Sequence, residues 1–180
     1  MADVFVANGY QGTSMQQLAE ATGLGKQSLY NAFGDKQAIY LKAVDCAVAR
    51  FAKIAAEMQH APSGLSAIER FFECLQALCI SPNPAEHTCV VSAGIVEGIE
   101  DPLIARRLAD KWRGTRELLR KTIQRGQDDG SITQEAPADE LADLLMTLMS
   151  GLRVSARVID DPGRLGRIIA RSLAPLAKPP

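Results

Sequence analysis

Aromatic residues are scarce in this chain of 180 residues, at 5%, and no apolar run approaches the length needed to cross a bilayer. No charged start leads into a short apolar segment with a small-residue cleavage site, so no secretory leader is read. The cysteines Cys46, Cys74, Cys79 and Cys89 form no CxxC pair and no dense framework. That excludes a disulfide scaffold and suits a reducing, cytoplasmic compartment. His60 and His87 lie far apart, and no four-ligand cluster accompanies them, so no metal site is expected. A glycine-rich phosphate loop, a nucleophile elbow and a convincing acid–base pair are all missing. Glu97, Glu100 and Asp101 sit together at a helix end, where capping and solvation account for them. The chain therefore reads as a non-enzyme, with no catalytic residues and no cofactor. A surplus of positive charge is missing too: the net charge is -1. Within residues 1–50, Lys26, Lys36, Lys42 and Arg50 are balanced by Asp3, Glu20, Asp35 and Asp45. That balance weighs against a nucleic-acid partner, because phosphate neutralisation dominates such affinity.

What is present is helix after helix. Apolar residues make up 47% of the chain and recur every three or four positions, without the alternation that marks strands. Residues 1–8 read as the end of a helix stopped by Gly9. Ser14, with Gln17 three residues on, is a capping box opening a helix over 14–22, and Gly23 ends it. A short helix over 26–33 follows, broken by Gly34. Asp35 then caps a fourth, in which Ile39, Ala43, Val44, Ala47, Phe51 and Ile54 share one side. The segment "HAPSG" at 60–64 reads as a break. Five further helices are expected over 66–79, 87–97, 101–128, 138–158 and 164–177, the third opened by Asp101-Pro102. The fold class is all-α.

Residues 14–33 carry the sharpest signal. Two short amphipathic helices joined by Gly23-Leu24-Gly25 form the helix-turn-helix plan. Ala19 is small where the helices cross, and Leu18, Leu24, Leu29 and Phe33 are expected in their shared core. Lys26, Gln27, Ser28, Tyr30 and Asn31 are left pointing outward. A second helix of this kind fits the major groove, with its first residues at the base edges.

The stretch "FVANGYQGTSMQQLAEATGLGKQSLYNAFGDKQAIYLKAV" resembles the N-terminal domain of the tetracycline-repressor (TetR) family of bacterial transcriptional regulators. The resemblance is dense over residues 1–45 and beyond residue 60 rests on layout. It implies a helix-turn-helix DNA-binding domain at 1–45 and a helical effector-binding and dimerisation domain at 46–180. It also implies further helical turns and a basic arm ahead of Met1. By position, Thr13 and Ser14 match phosphate contacts, and Lys26, Gln27 and Ser28 match the base-reading start of the recognition helix. Tyr30 and Lys36 match backbone-phosphate contacts, and Asn31 a variable polar one. Gly25 departs from a common serine or threonine cap. Gln27 departs from a common glycine and can pair bidentately with adenine. The implied partners are double-stranded operator DNA, a second copy of the chain in a homodimer, and a small-molecule effector; no membrane is implied.

For a hydrophobic effector the candidate wall residues are Phe71, Phe72, Leu75, Cys89, Trp112 and Met146, each of which is equally at home in an ordinary core. Cys89, near a helix start and two residues after His87, offers a thiol-sensing alternative. Leu141, Leu145, Leu148, Leu152, Leu165, Ile169 and Leu173 form stripes on the last two helices, expected to pair with their copies in a dimer. A helical interaction protein that no longer binds DNA is the remaining alternative.

Overall fold

The helical spacing is realised almost throughout. In the computed structural model, which describes residues 1–81 and 89–178, the described residues form nine α-helices and a closing 3-10 turn. They are α1 (Ala2–Asn8), α2 (Met15–Thr22), α3 (Lys26–Phe33), α4 (Lys36–Gln59) and α5 (Gly64–Cys79). Then come α6 (Val90–Glu97), α7 (Pro102–Asp128), α8 (Ala138–Ser155) and α9 (Pro162–Leu173), with the 3-10 turn at Ala174–Leu176. Among the described residues, the strand-like pairing is an isolated bridge between Ile132 and Ala177. None of the described helices is long and apolar enough to cross a membrane.

Local chemistry sets the helix ends. The Ser14 hydroxyl accepts from the Gln17 N–H at 3.2 Å, and the Gln17 side-chain oxygen accepts from the Ser14 N–H at 2.8 Å. Asp35 accepts from the Ala38 N–H at the head of α4. Asp101 accepts from Leu103 and Ile104, both at 3.0 Å, at the head of α7. Several boundaries differ from the sequence reading; the last helix, expected over 164–177, runs Pro162–Leu173. Helix α5 already starts at Gly64, because Ser63 and Ser66 form a capping box inside the segment read as a break. Cys89 is the N-cap of α6, and His87 lies outside the described residues. Helix α8 stops at Ser155.

Backbone proximity groups the chain into two units, Met1–Arg50 with Thr88–Trp112, and Phe51–His87 with Arg113–Pro180. The first unit thus holds α6 and the opening of α7 in addition to the N-terminal helices. Its core gathers Phe5, Leu18, Leu29, Ile39, Tyr40, Val44 and Ile104. Phe5 and Tyr10 both meet the Tyr40 ring edge-on, at 4.9 and 5.0 Å between centroids. Burial pushes the Tyr40 hydroxyl strongly upward in pKa, and that hydroxyl donates to the Val90 carbonyl at 3.2 Å. Leu24, expected in this core, is instead 40% exposed, and the α1 and α4 aromatics fill the centre.

The second unit packs α5, α8, α9 and the end of α7 around Phe71, Phe72, Leu119, Ile123, Leu145 and Leu165. Its α4–α5 turn is pinned by polar groups. Arg125 donates to the Ala61 and Ser63 carbonyls, and Asp129 accepts from the Gly64 N–H at 2.8 Å.

Candidate nucleic-acid interface

Helix α3 has only two turns, so packing must hold it. Leu29 is fully buried against Leu18 of α2, and burying two such leucines supplies about 3–6 kcal/mol. Gly23, at φ 68, makes the left-handed turn that sends the chain from α2 to α3, and its N–H returns to the Ala19 and Glu20 carbonyls. With Leu29 inside, Lys26, Gln27, Ser28, Tyr30 and Asn31 are all exposed. The Gln27 amide donates to the Asn31 side-chain oxygen at 3.0 Å, one turn along. Gly25 caps α3 without a side-chain bond, so no side chain covers the first-turn N–H groups, the donors a phosphate would use.

Two of the expected contact residues are otherwise engaged. Thr13 is buried, at 2% exposure, and its hydroxyl donates to the Gly9 carbonyl at 2.6 Å. Its side chain closes the α1–α2 turn and is withdrawn from any outer face, whereas Ser14 beside it is exposed. The Lys36 ammonium donates to the Tyr10 carbonyl at 3.0 Å and lies 4.5 Å above the Tyr10 ring.

The same Tyr10 peptide is gripped from its other end. The Glu97 carboxylate, at the end of α6, accepts from the Tyr10 N–H at 2.7 Å and the Gln11 N–H at 2.8 Å. Nearby, the Gln37 amide donates to Asp101 at 2.6 Å. The Ile104 N–H first, and then this amide, hold the Asp101 carboxyl below its ordinary range. Glu97 was invisible as a functional residue in the sequence. It lies 87 positions from Tyr10, and no local pattern links them. Lys42, which donates to the Phe33 carbonyl at the end of α3, was also missed.

The expected effector and dimer residues sit differently from the sequence reading. Phe71, Phe72, Leu75 and Met146 are buried in the second unit. There Phe51, Phe71 and Phe72 meet edge-to-face at 5.4 and 5.2 Å, so the rings fill core. Cys89 and Trp112 belong to the first unit, so the six candidates do not form one wall within either unit. A groove of about 510 Å³ runs between α5 and α9, edged by Glu69 and Glu73 and floored by Ile169 and Leu173. None of the six lines it. The dimer stripe requires correction. Leu141, Leu145, Leu152, Leu165, Ile169 and Leu173 are each at most 8% exposed within the single chain. Leu148 is half-buried. The unit's own core consumes that stripe.

A short polar helix, presented on a buried two-helix core across a glycine turn, defines a helix-turn-helix DNA-binding protein. The chain belongs to the TetR family of bacterial regulatory proteins. The model of its N-terminal region matches residues 2–43, and that of the BetI-type transcriptional repressor C-terminal region matches residues 67–177. Among curated proteins, the chain is similar to the uncharacterized HTH-type transcriptional regulator YezE of Bacillus subtilis. The two are 28% identical over 177 residues, covering 97% of this chain and 91% of the relative. It is also similar to the HTH-type transcriptional repressor AcnR of Corynebacterium glutamicum, at 24% identity over 82% of this chain and 72% of the relative. A TetR-family regulator from Agrobacterium tumefaciens shares the fold, with a TM-score of 0.87 at 18% identity over 98% of this chain and 93% of that one. The regulator CifR, solved as a cysteine mutant complexed with 26-bp double-strand operator DNA, aligns with a TM-score of 0.82. It is 26% identical, over 96% of this chain and 91% of its own. The chain is a DNA-binding transcriptional regulator, of a family that is not enzymatic.

Proposed function

We propose that this regulator is a cytoplasmic repressor that holds double-stranded operator DNA as a homodimer and leaves it when a small effector binds its C-terminal helical region. The observation that carries the reading is the face of α3. Its polar residues Lys26, Gln27, Ser28, Tyr30 and Asn31 are exposed together while Leu29 fixes the helix from behind. On DNA, the Gln27 amide turns from Asn31 to a base edge, where it can pair with adenine N6 and N7. Lys26, Ser14, Tyr30 and the first-turn N–H groups of α3 take phosphates, and Lys36 holds the Tyr10 turn. The repressor sense is supported by the C-terminal family description and by the names of relatives such as AcnR.

The exposed side of α8 offers the dimer seam. Leu144, Thr147, Gly151, Val154 and Val158 follow a three-and-four spacing along α8 and just beyond it, and all are exposed. Leu144, Val154 and Val158 are 54%, 70% and 79% exposed. A homodimer carries two recognition helices, which calls for two operator half-sites roughly 34–36 Å apart or at multiples of that spacing. To release DNA, the effector must favour the state that no longer fits the operator. A thiol switch at Cys89 would give the same output, and Cys89→Ser separates the two: it abolishes a response to electrophiles and spares one to a reversible ligand. The test is selection of bound fragments from the host genome. Recovery of an inverted repeat supports the proposal, and recovery of fragments without a shared sequence contradicts it.

A further inference from the structure

Several cations of the second unit meet carboxylates at the surface. Arg116 reaches Asp139 and Asp143, Arg120 reaches Glu117, and Arg167 reaches Asp161. Arg153 behaves differently. It lies in the last turn of α8 and is only 7% exposed. Its Nε is buried and meets no hydrogen-bond partner. Arginine is a permanent cation in proteins, and a buried donor left without an acceptor is costly for a fold to hold. A chain that keeps one has a reason outside its own core.

The surroundings narrow that reason. Along α8, Ala142, Met146, Met149 and Arg153 follow one buried stripe. On α5, which packs against α8, Ile68, Phe72, Leu75 and Cys79 follow the same spacing and are likewise buried. Arg153 and Cys79 end these two stripes, and the Arg153 charge is felt at the Cys79 thiol. Burial pushes that thiol up in pKa, and the Arg153 charge partly opposes the rise. The cation therefore stands at one end of an apolar seam whose methionines can repack around a guest.

We propose that Arg153 is the anion-recognition residue of an effector site between α5 and α8, and that the ligand is an amphipathic monocarboxylate. Within the effector reading, on which this rests, Arg153 sets the ligand class. One guanidinium matches one carboxylate, in a fork that donates to two oxygens. A free phosphate would bring more negative charge than this seam neutralises and no apolar body to fill it. Carboxylate binding gives the buried Nε–H an acceptor, so ligand-bound protein is the more stable form.

The experiment is thermal unfolding of the full chain, without DNA, so that its outcome is independent of operator binding. The probes are octanoate, the neutral control octan-1-ol, and inorganic phosphate. For the wild type, saturating octanoate should raise Tm by about 5 °C or more, with little effect from octanol or phosphate. Arg153→Met keeps the apolar stem and removes the charge. Its ligand-free Tm should equal or exceed that of the wild type, and octanoate should bind at least about tenfold more weakly. Arg153→Lys should retain part of the response. No octanoate shift in the wild type, an equal response to octanol, a response to phosphate alone, or an unimpaired response in Arg153→Met would overturn the proposal. So would a large ligand-free loss of Tm in Arg153→Met, since that outcome assigns the guanidinium to holding the fold.

Discussion

Replacing Gly9 by alanine should unfasten the turn that leads into the DNA-reading helices, through contact with a residue 88 positions away. Gly9 has φ 75 and ψ 169, a region essentially restricted to glycine, where any other residue costs about 1–3 kcal/mol. A Cβ there would also sit 3.0 to 3.3 Å from the Glu97 carboxyl atoms. The carboxylate must then give by a few tenths of an ångström, which weakens its hold on the Tyr10 and Gln11 N–H groups at 2.7 and 2.8 Å. Hydrogen bonds to a charged acceptor are worth about 1.5–3 kcal/mol when buried. Tyr10 is buried and Gln11 exposed, so roughly 2 kcal/mol for the pair is the reasonable figure. Gly9→Ala should therefore lose about 3–4 kcal/mol and Glu97→Ala about 2 kcal/mol. The double variant should lose about 1–2 kcal/mol less than the sum, because the second change removes what the first displaced. Trp112 is the single tryptophan and belongs to the same unit, so urea unfolding followed by its fluorescence reads the relevant region. Strictly additive losses, or an unchanged Glu97→Ala, would refute the clamp.

Other expectations concern the rest of the molecule. Leu144→Glu and Val154→Glu place charge on the exposed seam of α8 and should yield folded monomer by light scattering, whereas dimer persisting in both would move the interface elsewhere. Asp101, Asp129, Asp143 and Asp161 are held below the ordinary carboxylate range, and Glu117 is lowered to about 2, chiefly by Arg120. Groups depressed in the folded state stabilise it above their unfolded pKa, and that contribution is lost as pH falls through the folded values. The urea midpoint should thus hold between pH 8 and 5 and drop below roughly pH 4; a midpoint that rises on acidification from pH 5 to 3 would contradict this. Cys46 is exposed and Cys79 buried, with its thiol pushed up. Iodoacetamide at pH 8 should label Cys46 first and Cys79 last by peptide mass, and the reverse order would mean that the α5 end is open.

Local signals and distant contacts divided the legibility of this chain. Ser14 with Gln17, Gly23, Asp35 and Asp101 act over three or four residues, so their capping and turn roles could be read directly, and the α3 face followed from Leu29 and its neighbours. The amphipathic stripes of α8 and α9 were equally visible, yet periodicity shows only that a face is buried and never against what. Leu145 and Leu165 turned out to face the chain's own core, and the weaker seam through Leu144 and Val154 stays exposed. Glu97 on Tyr10, Lys36 on the Tyr10 carbonyl and the buried, unpaired Nε of Arg153 arise from tertiary approach, for which the sequence carries no spacing signal. Thr13 shows the converse: its place beside Ser14 suggested an outer face, and its hydroxyl is turned inward to Gly9.

The central claim is that the exposed side of α3 reads DNA. The direct measurement is fluorescence anisotropy on a labelled duplex bearing the selected inverted repeat, with random-sequence competitor, across a salt series. Wild type, Lys26→Ala and Gln27→Ala should be compared. Wild-type binding should resist competitor and weaken with salt. Lys26→Ala should lower affinity on every duplex and reduce the salt slope by about one per site. Gln27→Ala should lose about 1–3 kcal/mol only on duplexes that keep the contacted base pair. If both variants bind as the wild type does, or the wild type fails to distinguish the repeat from competitor, α3 is not the reading surface.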